Sequence, residues 1–257
     1  MKRVTWLIVL CLLFSFLFSA GAEEKEPDDS LLMRYYDGSV FFGDSRMQAL
    51  RRYRDKIQQE DETFLANITL VCAESISLYS ASRLTLNGEF NFSYRGRKGT
   101  LYEIAGRIHP EKIFVMIGLN DPVAQDPDKS LTYVRKVIET LKEKLPETDV
   151  YFFSETPVTA NYGKVKMRPK YQEQLDVYNA RMKDTCISCG GFFVDIADVF
   201  KDETGYLKRE YSSDNVCHLS EEGVAVWIQA LKDYAREQYE LGWWDPYAEE
   251  TAEEAAP

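Results

Sequence analysis

Five short apolar runs punctuate this chain: "SVFFG" at 39 to 43, "ITLVCA" at 68 to 73, "KIFVMIG" at 112 to 118, "DVYFF" at 149 to 153 and "GFFVDI" at 191 to 196. They are continuous rather than alternating, as in parallel strands covered on both faces. Helical patterns lie between them. Met47, Leu50, Tyr53 and Ile57 form one stripe, and Leu131, Val134, Val137, Leu141 and Leu145 form another at three- and four-residue steps. A last helix carries Val224, Trp227, Leu231, Tyr234 and Ala235, with Ser220 as its cap and Glu221 and Glu222 in its first turn. Strands alternating with helices predict an α/β fold, a three-layer α/β/α sandwich around a five-stranded parallel sheet. Right-handed crossovers leave few arrangements, of which the flavodoxin-like order 2-1-3-4-5 is the commonest open one. In that order the first and third strands are neighbours, and ligands bind outside their carboxyl ends.

The residues at those two places carry chemistry. Gly43-Asp44-Ser45 follows the first strand, and Gly118-Leu119-Asn120-Asp121 follows the third. A serine hydroxyl becomes a nucleophile only beside a base, and the chain has two histidines, His109 and His218. His109 precedes a proline at the start of the third strand, the sheet edge opposite the crevice, and reads as a turn residue. His218 lies in "SSDNVCHLSEEG", the loop before the last helix, with Asp214 near enough to hold its second ring nitrogen. Asn120 offers an amide donor to an oxyanion, and Ser45 its backbone N–H at a helix N-terminus, where the dipole also favours negative charge. Each motif has a plainer reading. Serine is a preferred helix cap, Asn-Asp-Pro an ordinary turn, and Asp214 and His218 alone are loop residues. Their order along the fold favours a catalytic site.

With these residues the chain resembles the SGNH/GDSL-type esterases, in particular exported bacterial members with Gly-Asp-Ser-Arg in the first block. The resemblance spans about residues 36 to 238. It implies Ser45 as nucleophile, His218 as base, Asn120 as oxyanion donor, and further donation from the serine N–H and from a glycine N–H after the second strand. That second block here reads "VCAESISLYSAS" and has no glycine; Ser75 is the best positional match and Ser77 the next. The family spaces its acid three residues before the histidine, where this chain has Asn215, while Asp214 lies four before. One extra loop residue restores Asp214 to the role.

The chain begins "MKRVTWLIVLCLLFSFLFSAGA", two cations, a short apolar run and a small-residue site, which reads as a secretory signal peptide over residues 1 to 22. Its removal leaves 29 basic and 42 acidic side chains, so the formal charge goes from −11 to −13. That charge argues against nucleic acid as partner. The cluster Arg46, Arg51, Arg52, Arg54 and Lys56 reads as the solvated face of one helix. Residues 23 to 35 read as a polar leader, 36 to 240 as the hydrolase domain, and 241 to 257 as an acidic disordered tail. Cys72, Cys186, Cys189 and Cys217 allow three disulfide pairings or buried free thiols. A metal site is short of donors, and no cofactor is needed. The expectation is a secreted or cell-surface serine esterase, without membrane insertion after cleavage. It would act on a small-molecule or glycan ester, removing short acyl groups such as acetyl from a cell-wall or extracellular glycan. An O-acyltransferase, or a non-catalytic surface-binding domain on the same fold, are the other readings.

Overall fold

In the computed structural model, which describes residues 26–86, 88, 91–121 and 126–248, strand β1 (Val40–Gly43) is buried at every position. Its parallel neighbours are β2 (Thr69–Cys72) on one side and β5 (Lys112–Met116) on the other; β6 (Asp149–Phe153) and β7 (Phe192–Val194) complete the sheet. The order is β2-β1-β5-β6-β7, which among these five strands is the expected 2-1-3-4-5. A small antiparallel hairpin, β3 (Phe92–Tyr94) and β4 (Arg97–Gly99), has no counterpart in the sequence reading. Its strands of three residues are too short to show a period.

The pleat sends successive side chains to opposite faces and so creates two cores. Val40, Phe42, Val115, Val150 and Phe152 face α4 (Leu101–Ile108), α5 (Pro127–Lys144) and α7 (Tyr171–Ser188). Phe41, Phe114, Met116, Tyr151 and Phe153 face α1 (Asp29–Met33), α2 (Ser45–Ile57) and α8 (Glu221–Glu240). The stripes bury as their spacing requires: Val134, Val137, Leu141, Trp227 and Leu231 are fully buried, each worth roughly 1.5–3 kcal/mol or more relative to exposure. The short helices α3 (Leu78–Ala81) and α6 (Tyr162–Val165) belong to loops at the carboxyl end of the sheet. Among the described residues no helix is long and apolar enough to cross a membrane.

The expected leader needs correction over residues 29 to 35. Leu32, Tyr35 and Tyr36 are buried against the α8 side of the sheet, the Tyr36 hydroxyl donates to the Leu231 carbonyl at 2.8 Å, and Lys112 Nζ lies 3.9 Å from the centre of the Tyr35 ring. Average polarity hid an apolar stripe at three- and four-residue spacing. The start of the expected tail is likewise packed: Trp244 meets Tyr35 edge-on at 5.4 Å, and Pro246 is buried. The signal peptide, the leader's first three residues and positions 249 to 257 lie outside the described residues. Among the described residues Cys72, Cys186, Cys189 and Cys217 are free thiols.

Candidate active site

At the end of β1 the backbone passes so close to α2 that a Cβ on Gly43 would fall 2.2 Å from Met47 Cβ. Glycine is the residue that fits there. Asp44 then caps α2, accepting the Arg46 N–H at 2.9 Å, and Ser45 is the first helical residue. Capping is therefore the work of Asp44, and the Ser45 hydroxyl is left for other partners.

That partner comes from the loop before α8. One oxygen of Asp214 accepts the backbone N–H groups of Val216, Cys217 and His218 at 2.8, 3.0 and 3.2 Å. Its other oxygen lies 2.6 Å from His218 Nδ1, and His218 Nε2 lies 3.0 Å from Ser45 Oγ. Partial burial would raise the Asp214 pKa, but these hydrogen bonds win and hold it down at about 2. An ionised Asp214 accepts the hydrogen bond of the Nδ1–H, and in that tautomer the imidazole presents its Nε2 lone pair to Ser45. The extra loop residue is Asn215, which adopts a left-handed conformation with φ 57°. Its carbonyl accepts the Thr159 hydroxyl at 2.8 Å, so Asp214, not Asn215, meets the histidine. His109, by contrast, caps the end of α4, remote from this loop in the fold.

The expected oxyanion donors lie in the same cleft. Asn120 Nδ2 donates to the Ile76 carbonyl at 3.0 Å, which ties the loop after β5 to the loop after β2. Asp121 reinforces the tie by accepting the N–H groups of Leu78 and Tyr79, at 2.5 and 3.2 Å, at the start of α3. Burial pushes the Asp121 pKa up to about 6 despite those two bonds. Ser75 has φ 56°, the left-handed region that favours glycine, which accounts for glycine in the family at this place. Neither the Ser45 nor the Ser75 N–H has a protein acceptor among the described residues. Ser77, the second positional match, is the N-cap of α3 and accepts the Ser80 N–H at 3.1 Å. Ser75→Gly should relieve about 1–2 kcal/mol of left-handed strain, offset by about 0.5–1 kcal/mol of added chain entropy when unfolded. The expected result is an unchanged or slightly raised melting temperature with activity retained. A loss of several degrees in a thermal melt would show that the serine side chain is needed.

Arg46 corrects the expectation of a solvated helix face. It is 1% exposed, with Nη2 2.7 Å from both Asp44 Oδ2 and Glu155 Oε2. Burial alone would lower the guanidinium pKa, but the two carboxylates more than offset this and keep it charged. Glu155, just beyond β6, went unnoticed in the sequence. Its Oε2 also accepts the Leu119 N–H at 3.1 Å, so one carboxylate joins the helix of Ser45 to the loop of Asn120. A Cβ on Gly118 would fall 2.5 Å from Glu155 Oε1, which explains the glycine that opens "GLND". The detectable signal was position, since Glu155 follows the fourth sheet strand on the crevice side.

The cleft has a volume of about 610 Å³, and Ser45, Ser75, Asn120, Cys217 and His218 all line it. Asp214, Cys217 and His218 bring donor atoms within 4.8 Å of one another. A metal there would have to replace the Asp214–His218 hydrogen bond that orients the imidazole. The model of the GDSL-like lipase/acylhydrolase family matches residues 41–226, including every residue of this cleft named above. The chain belongs to that family. It is a family of enzymes that hydrolyse ester bonds. Among curated proteins, none matches the sequence. Solved structures share the fold. A GDSL-like lipase from Bacteroides thetaiotaomicron is 14% identical with a TM-score of 0.56, the match covering 87% of this chain and 96% of the other. A catalytic mutant of an acetylxylan esterase from Geobacillus stearothermophilus is 14% identical with a TM-score of 0.53, covering 77% and 93%. An α/β hydrolase from the metagenome of Lake Arreo is 16% identical with a TM-score of 0.51, covering 80% and 98%.

Proposed function

We propose that this member of the family is an exported serine esterase that removes short acyl groups, such as acetyl, from a cell-wall or extracellular glycan through an acyl-enzyme on Ser45. The observation that carries the mechanism is the continuous relay of Asp214 to His218 at 2.6 Å and His218 to Ser45 at 3.0 Å. Ser45 Oγ attacks the ester carbonyl as His218 Nε2 takes its proton. The charge that develops on the carbonyl oxygen meets the Ser45 and Ser75 N–H groups and the Asn120 amide, near the positive end of the α2 dipole. The tetrahedral intermediate collapses, His218 returns the proton to the departing alcohol, and the acyl group stays on Ser45. Water, deprotonated by the same imidazole, then attacks the acyl-enzyme and releases the acid and free Ser45.

The glycan substrate is supported by the signal-like pattern of residues 1 to 22 and by the acetylxylan esterase among the proteins of this fold. The cleft's polar wall suits a short acyl group better than a long aliphatic chain. The non-catalytic reading rested on the missing glycine and the displaced acid, and the left-handed Ser75 and the Asp214–His218 bond count against it. A fluorophosphonate probe followed by peptide mass mapping tests the proposal. Adduct on Ser45 alone, absent in His218→Ala, is the expected result. Folded protein that stays unlabelled and leaves p-nitrophenyl acetate intact would overturn it.

A further inference from the structure

The chain is strongly acidic, yet the open part of its cleft is basic. Arg52, Lys166 and Arg168 line it besides the catalytic residues, with Glu74, in the loop after β2, as the one exposed carboxylate of the lining. No carboxylate comes within 4.0 Å of any of these three cations among the described residues. Arg52 has a single weak donation to Gln48 at 3.4 Å, and Arg168 lies 6.0 Å from the Tyr171 ring centre. Some cations of this chain find acids, as Lys56 does with Glu221, Lys201 with Asp176 and Asp198, and Lys232 with Asp29; what sets Arg52, Lys166 and Arg168 apart is that they share one concave site. With 42 acidic side chains against 31 basic, three unpaired cations in one concave site make a local field opposite in sign to the molecule's own.

Their placement says which part of a substrate they meet. Ser45, Gln48 and Arg52 stand at positions i, i+3 and i+7 of α2 and so share one face. Seven residues of helix are about 10 Å. Lys166 and Arg168, in the segment after α6, line the cleft with them. A short acyl group such as acetyl carries no charge for these cations to meet, so the anion they answer belongs to the alcohol side of the ester, on a neighbouring unit.

We propose that Arg52, Lys166 and Arg168 form a subsite for an anionic polymer, so that the enzyme selects esters borne on a glycan or polyol chain that carries carboxylate or phosphate groups. This rests on the esterase reading of the cleft. Arg52 and Arg168 offer forked donors to such oxyanions, and Lys166 a mobile point charge. The acidic remainder of the surface repels the same polymer and confines binding to the cleft.

The test compares kcat/KM on acetylated polygalacturonate, an acetylated polyol phosphate and acetylated xylan, at low and high ionic strength, with p-nitrophenyl acetate as a small neutral ester. One or both polyanions should exceed the neutral polymer by about tenfold or more at low salt, and the advantage should shrink at high salt. Which polyanion responds identifies carboxylate or phosphate as the recognised group. The combined Arg52→Gln, Lys166→Gln, Arg168→Gln variant should lower the polyanion-to-neutral ratio about tenfold, while Lys136→Gln, an exposed change on α5, should leave that ratio alone. Arg52 and Lys166 are exposed and Arg168 is half-buried beside Tyr162 and Tyr171, so an unchanged melting temperature certifies the fold, and the Arg52→Gln, Lys166→Gln double variant, which should lower the same ratio in part, is the control for Arg168. Equal rates on charged and neutral polymers, without salt dependence, would overturn the subsite and leave the esterase standing. Failure to cleave p-nitrophenyl acetate would instead overturn the esterase.

Discussion

Arg46→Ala should destabilise the protein by about 3–5 kcal/mol, lowering the melting temperature by roughly 6–20 °C for a domain of this size. The reason is the buried triad Asp44–Arg46–Glu155, in which one guanidinium answers two carboxylates at 2.7 Å each. Removing the cation leaves two carboxyl groups out of water with nothing to oppose their charge. Glu155 is already pushed up to about 7 by burial, against the attraction of Arg46, and goes higher without it. The loss in Arg46→Ala should thus grow as pH rises, because ionising a buried acid becomes the alternative to unfolding. Glu155→Gln is the complementary case: it leaves a neutral Asp44–Arg46 pair and should cost far less. In the native protein Glu155 binds its proton more tightly folded than unfolded, so its contribution is present below about pH 4.5 and is lost as pH rises through about 7. Across that window the melting temperature should fall with pH in the native chain and fall less steeply in Glu155→Gln, the remaining slope coming from Asp121, which burial raises to about 6. Equal melting temperatures for Arg46→Ala and the native chain would show that the triad contributes nothing.

The same triad marks a boundary of what the sequence reveals. Continuous apolar runs disclosed the sheet, because a strand buried on both faces has no polar phase, and the stripes of Met47, Val134 and Trp227 disclosed the helices that cover it. Arg46 resisted reading for a physical reason. A cation on a helix is ordinarily solvated, and only a long-range partner such as Glu155, 109 positions away in the chain, reverses that. Local pattern contains no trace of such a partner. Ser45, Asn120 and His218 were legible because topology brings strand ends together and few side chains there can do acyl chemistry. Ser75 and Asp214 were harder, since both depend on one backbone dihedral, the left-handed φ of Ser75 itself and of Asn215 beside Asp214. Composition misread residues 29 to 35 because a short amphipathic segment looks polar on average.

The relay's kinetics should follow from who touches what. Ser45→Ala and His218→Ala should each reduce kcat by about 10⁵- to 10⁶-fold, and the double variant should be no worse than either, because nucleophile and base act as a unit. Asp214→Ala should cost about 10⁴-fold. It removes the acceptor that fixes the imidazole tautomer and, with it, the three N–H bonds that shape the loop. Asp214→Asn separates these two effects: an amide oxygen can keep part of the loop, but an amide that donates to Nδ1 places the imidazole proton on Nε2, facing Ser45. Its activity should stay low even where its melting temperature recovers. Asn215→Asp, added to Asp214→Ala, should restore nothing. Asn215 is held through its carbonyl by Thr159 and Asn161, at 2.8 and 3.3 Å, and its backbone is fixed in the left-handed region, while it is Asp214 that reaches His218 Nδ1. Recovery of activity in that double variant would move the acid to position 215, and with it the geometry on which the proposed mechanism stands.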